Sequence, residues 1–180
     1  LRGGGRLATI LHIHRGMIMR TLLVLVLLVL SATAQAQTEP RITVIDYGIV
    51  SATDSKKVPS PGTATGFMRE VTNYRLVRQA ETIVAKQGVR FGIRYRVDGA
   101  PRGKTLNGTC ITRFPAGGVT NPKGAKVEAD EFDCDLKGGE VTWRSYTFEE
   151  PWELVAGDWN LEFWYGGKKI GEKRFAVVAP

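Results

Sequence analysis

The sequence predicts an all-β domain, a sandwich or a barrel, and three observations lead there. Apolar and polar residues alternate with period two in nine short segments, the mark of strands with one buried face. Gly, Pro, Asn or Asp stand between several of those segments, where turns need them. Residues 37–180 carry no convincing helical periodicity, so about seven to nine strands have to build the core between them.

The first expected strand covers 41–50, RITVIDYGIV, and similar runs follow at 71–78 and 81–86. The clearest is GVRFGIRYRVDG, 88–99. There Val89, Phe91, Ile93, Tyr95 and Val97 point one way and Arg90, Arg94 and Arg96 the other. Strands are expected next at 106–114 and 127–136; in the second, Phe132, Cys134 and Leu136 face in and Glu131, Asp133 and Asp135 form an acidic outer face. A strand at 140–148 precedes DWNLEFWY, 158–165, where Trp159, Leu161, Phe163 and Tyr165 share one face and Asn160, Glu162 and Trp164 the other. Three of these four rings are therefore assigned to the core, which leaves Trp164 as the solvent-side aromatic. Gly166 and Gly167 accept the positive φ of a two-residue hairpin turn, and the last strand is 169–178. A simple register there sets Phe175 and Val177 on the wrong face, so a bulge is expected near Gly171.

Upstream of these strands, MRTLLVLVLLVLSATAQA, 19–36, has a basic start, a nine-residue apolar run and a small-residue Ala34-Gln35-Ala36 ending. This is the layout of a cleavable signal peptide, and the run is short for a membrane span. Residues 1–18 precede or include the methionines Met17 and Met19 and are read as an upstream extension or mis-assigned start. Residues 37–180 then form a single domain, expected to be periplasmic or secreted, with no membrane span after cleavage. Removal of 1–36 discards four arginines and both histidines, leaving 21 basic and 18 acidic residues. The basicity that would suggest nucleic acid mostly disappears with the leader, and no nucleic-acid partner is expected.

Cys110 and Cys134 enter an oxidising compartment and are expected to pair as a structural disulfide. Their spacing is not that of a redox pair or a zinc site. Two loops stand out. SATDSKKVPSPGTATG, 51–66, is long and polar, and its composition favours mobility over function. PAGGVTNPKG, 115–124, lies between the cysteines and would be held at its base by their bond.

Without histidine, nucleophile–histidine catalysis is unavailable in the exported chain. A Ser-Lys pair around Ser55, Lys56, Lys57 and Ser60 lacks a motif context, and Glu149, Glu150 and Glu153 read as an acidic turn. The cluster DEFDCDLKGGE, 130–140, departs from a calcium loop because Lys137 and Arg144 occupy ligand positions. No catalytic residue, metal or cofactor is assigned. Charge is segregated: 69–113 holds ten basic and three acidic residues, and 114–167 four basic and eleven acidic. Pairing between neighbouring strands accounts for this most simply. The sharper reading makes Arg90, Arg94 and Arg96 a row on an open sheet face, receptive to an anionic glycan or acidic surface.

ITVIDYGIV, GVRFGIRYRVDG and PWELVAGDWNLEFWYGGKKIGEKRFAVV together resemble a bacterial secreted family of unknown function, number 3859, over about residues 42–178. Gly-x-Trp, a hairpin and Phe-x-Val are also similar to the last two strands of many immunoglobulin-like modules. The resemblance implies an immunoglobulin-like antiparallel β-sandwich exported to the envelope, and it implies no activity. The expected function is a non-catalytic protein-interaction or accessory module of the envelope. The alternative is a carbohydrate or envelope-polymer binding module using Trp164 and the Arg90, Arg94 and Arg96 face.

Overall fold

The computed structural model describes residues 38–180, so the upstream extension and the expected signal peptide lie outside the described residues. Eleven strands follow in order: β1 (Arg41–Pro59), β2 (Phe67–Gln79), β3 (Thr82–Val84), β4 (Arg90–Asp98), β5 (Thr105–Arg113), β6 (Val119–Thr120), β7 (Lys126–Val127), β8 (Ala129–Lys137), β9 (Val141–Thr147), β10 (Gly157–Tyr165) and β11 (Lys168–Val178). A single-turn 3-10 helix, Pro151–Glu153, precedes β10. Nine strands form two facing sheets, ordered β2-β1-β4-β9 and β3-β11-β10-β5-β8, while β6 and β7 make a separate ribbon. All pairings are antiparallel except that of β3 with β11, which is parallel. The expectation of a wholly antiparallel sandwich is corrected at that edge: β3 arrives from the other sheet, so no hairpin fixes its direction.

The alternation along the chain becomes the core. Phe91, Ile93, Tyr95 and Val97 of β4 face Trp159, Leu161 and Phe163 of β10 and Phe175 of β11, and all are buried. Phe91 is central. Its ring lies 5.0 Å from Phe175, 5.4 Å from Phe148 and 6.1 Å from Trp159, in the tilted and edge-on arrangements that aromatic quadrupoles favour. Trp159 is anchored as well as buried, its indole N–H donating to the Val155 carbonyl at 2.9 Å.

The β10–β11 hairpin turns on Gly166 and Gly167, whose φ angles are 56° and 76°. The pairing slips between Phe163, opposite Gly171, and Trp164, opposite Lys169. This is the expected bulge, and it brings Phe175 opposite Trp159, with both inside.

The 51–66 segment departs from expectation. Rather than a mobile loop, it continues β1 to Pro59, paired with β2 as far as Pro59–Phe67, and leaves only 60–66 as the turn. Its polar residues suit a strand with little buried surface, so they lack the alternation that marks the other strands. The first half of β1 pairs with β4 and the second half with β2 alone. This two-stranded arm runs past the end of β4. Tyr74 stacks on Trp143 of β9 with centroids 5.6 Å apart, and its hydroxyl lies 3.1 Å from that of Ser145. At the tip, Gly62 accepts the Glu131 N–H at 2.8 Å, and Ala64 N–H donates to the Asp130 carboxylate at 2.6 Å. The tip of one sheet's hairpin thus latches onto the edge strand of the other.

Cys110 and Cys134 are bonded, with Cα atoms 5.8 Å apart. They join the adjacent strands β5 and β8 within one sheet. The cross-link restrains the unfolded chain by roughly 3 to 4 kcal/mol for a loop of this length. The 115–124 segment between them carries the small β6 strand and buries Val119, so it is an ordered feature.

Candidate functional site

Two features of the surface carry chemistry. The first is a cleft of about 250 Å³ where the sheets open between β8 and β9, roofed by the arm. Four buried polar side chains meet there: Asp130 from β8, Arg144 and Tyr146 from β9, and Glu153 from the 3-10 helix. Glu153 is well satisfied. Its carboxylate accepts the Glu149 and Glu150 N–H groups, each at 2.7 Å, and the Tyr146 hydroxyl. Burial raises the Glu153 carboxyl above its usual range, opposed by those bonds, and burial together with Glu153 raises the Tyr146 phenol strongly.

Arg144 reaches from β9 across the interior. It donates to the Glu162 carbonyl at 2.5 Å and the Thr112 hydroxyl at 3.1 Å. Its guanidinium carbon lies 4.9 Å from the centre of the Phe163 ring and 5.6 Å from that of Phe132. Among the described residues no carboxylate forms an ion pair with it, and burial draws its pKa down to about 10. Asp130 has the opposite charge and a similar predicament. Burial pushes its carboxyl up to about 7, against the lowering effect of the Ala64 N–H. The remaining charged residues that line the cleft are matched: Arg69 bonds Glu149 through two contacts, at 2.6 and 2.9 Å, and Arg90 pairs with Asp54.

The second feature is the outer face of the five-stranded sheet around Trp164. Trp164 is half-buried and lines a shallow groove with Asn107, Thr109, Arg113, Glu131 and Tyr165. Beneath it lies Glu162, buried although on the outer face. Glu162 accepts the Trp164 indole N–H at 3.0 Å and the Arg113 guanidinium at 3.1 and 3.3 Å. Burial pushes the Glu162 carboxyl up, but the bonds from Arg113 and Trp164, with Lys169 nearby, hold it below the usual range. The ring is thereby fixed in orientation before any ligand arrives.

The arginine row lies on the opposite sheet, on β4, so Trp164 and the row do not meet in one site. Arg90 is buried, donating to the Thr147 hydroxyl at 2.6 Å and pairing with Asp54. Arg94 pairs with Asp46, and Arg96 bonds Asp98 at 2.6 Å. Each arginine of the row thus has an aspartate partner from β1 or β4. That pairing holds the Asp98 carboxyl down at about 2. Asp133 and Asp135 are exposed on β8, within a strand rather than a calcium loop.

In the sequence, Asp130 and Arg144 figure only in the rejected calcium loop and Glu153 only in an acidic turn, and none of the three is assigned to a site. The signal existed for two of them: Asp130 shares the parity of Phe132 and Leu136, and Arg144 that of Tyr146 and Phe148, so both belong on inner faces. Glu153 sits on a single helical turn and has no periodicity to reveal it.

Two facing β-sheets around one aromatic core, with the Gly-x-Trp hairpin supplying the central strand, define an immunoglobulin-like sandwich. The same architecture occurs in the crystal structure of an immunoglobulin-like protein from Pseudomonas aeruginosa, 28% identical, with a TM-score of 0.52 over 79% of this chain and 99% of that one. The chain belongs to the family Domain of unknown function (DUF3859), whose model matches residues 38–177. A Pseudomonas fluorescens alkylpurine DNA glycosylase, AlkC, solved bound to DNA containing an abasic site analogue, also matches. It is 13% identical with a TM-score of 0.36, over 54% of this chain and 27% of that one, too distant to bear on function. No curated protein matches.

Proposed function

We propose that this domain is a non-catalytic interaction module, exported to the periplasm or beyond, that engages a protein of the cell envelope through the Trp164 face. One observation carries the reading: Trp164 and Arg113 are held in place on an outer face by a single buried carboxylate, Glu162. Trp and Arg dominate the energetics of protein interfaces, and fixing them in advance removes part of the ordering cost of association. The apolar run and small-residue ending at 19–36 support export. The test is site-specific photo-crosslinking in cells from positions 107 and 109, which line the same groove and leave Trp164 in place. A discrete adduct lost in Trp164→Ala is expected, with affinity falling by about 2 kcal/mol, the size of an interface hot spot. A protein that yields no adduct from this face would sink the proposal.

A second reading rests on the groove beside the ring, where Asn107, Thr109 and Glu131 supply hydrogen-bonding groups next to an aromatic plane. Such a surface suits a saccharide or envelope polymer. Arg113 takes the place of the Arg90, Arg94 and Arg96 row, which lies on the other sheet. Retention of the protein on cell-wall fractions, lost in Trp164→Ala, would favour this reading over a protein partner.

A further inference from the structure

The cleft between β8 and β9 is independent of the Trp164 face, and Trp164 does not line it. It contains two side chains of opposite charge, Asp130 and Arg144, that are both more than nine-tenths buried. The other ionic groups along its walls have matched partners: Arg69 with Glu149, Arg90 with Asp54, and Glu153 with Tyr146 and two main-chain N–H groups. Asp130 and Arg144 do not pair with each other. The bonds of Arg144 to the Glu162 carbonyl and Thr112 use two of its five N–H donors. The Ala64 N–H occupies one of the roughly four acceptor positions of Asp130. Burying the Arg144 charge without an ion pair is costly, burial favours the protonated form of Asp130 for the same reason, and a molecule carrying the complementary charges offsets both costs with charge-assisted bonds. Phe67, Val71 and Phe132 provide an apolar wall beside them.

We propose that this cleft is a binding site for a small zwitterion, a free α-amino acid with an aliphatic side chain, whose carboxylate meets Arg144 and whose ammonium meets Asp130. A cavity of about 250 Å³ is on the scale of such a molecule. An arriving ammonium also displaces the proton that burial keeps on Asp130 near neutral pH. The groups that act on that proton are the Ala64 N–H from the arm, Glu153 from the 3-10 helix and Arg144 from β9.

Thermal unfolding and titration calorimetry of the purified protein test this with L-leucine, N-acetyl-leucine and leucinamide as probes. L-leucine at about 10 mM, some tenfold above a millimolar Kd, is expected to raise the Tm by a few degrees. Blocking either end removes one charge, and each blocked form is expected to bind at least about tenfold more weakly. At pH 6.5 the heat of leucine binding should vary with the ionisation enthalpy of the buffer, because a proton leaves Asp130. Asp130→Asn keeps the shape and the acceptor for Ala64, and should abolish that buffer dependence and weaken leucine about tenfold. Absence of a shift with L-leucine overturns the proposal, as does binding of N-acetyl-leucine and leucinamide at the strength of leucine.

Discussion

The side chain with the most direct consequence for stability is Asp130. Folding raises its pKa from 3.8 to about 7, so the folded state favours the protonated form. The corresponding stabilisation is complete below the ordinary carboxyl range and is lost as the pH rises through 7. The native protein should therefore be less stable at pH 8 than at pH 5, by on the order of 2–4 kcal/mol from this group. Asp130→Asn cannot titrate there, and its urea midpoint should change much less between the two pH values, leaving the contribution of Glu153. A variant as pH-sensitive as the parent would show that the proton sits elsewhere. At this scale the sequence was partly legible. Parity identified Trp164 as the odd aromatic and placed Phe132 and Leu136 inside, yet parity applied only to apolar residues passes over the charged ones between them. Asp130 and Arg144 lie on inner faces because the sandwich opens at its β8 and β9 edges, and that opening depends on which strands end up as edges.

Among the elements, the β10–β11 hairpin was legible nearly residue by residue, because a glycine pair fixes the turn and the positions of Phe175 and Val177 demand a bulge. Gly171, at the bulge, has a further constraint: a side chain there would run into Ile42 of the opposite sheet. Gly171→Val should destabilise the fold by about 1–3 kcal/mol, the usual cost of overpacking, seen as a lower denaturant midpoint. A neutral result would mean that the two sheets can separate locally at that point. The β1–β2 arm was illegible in its outer half. A strand bonded to one neighbour and wet on most of its surface has no periodic hydrophobicity, and proline and glycine at its tip resemble a loop. What makes it a strand is its partner β2, a relation between segments rather than a property of either.

For the whole molecule, the two sheets are joined by core packing and by the latch at the arm's tip. Gly62 lies against the Glu131 carbonyl so closely that a side chain cannot fit. Gly62→Val should lift the tip, and the Glu131 amide should then exchange its hydrogen much faster while Phe91 and Phe163 amides in the core stay protected. Unchanged exchange at Glu131 would mean that the latch tolerates the clash. The disulfide gives the latch a further meaning. An edge strand under tension peels from its end, and the arm is bonded to β8 near that end, at Asp130 and Glu131. The covalent seam at Cys134 stops that peeling partway, so residues 129–133 can rise with the tip while 134–137 stay fastened to β5. Mechanical load on the arm would thus be converted into opening of the cleft beside Asp130, with the rest of the sheet held shut.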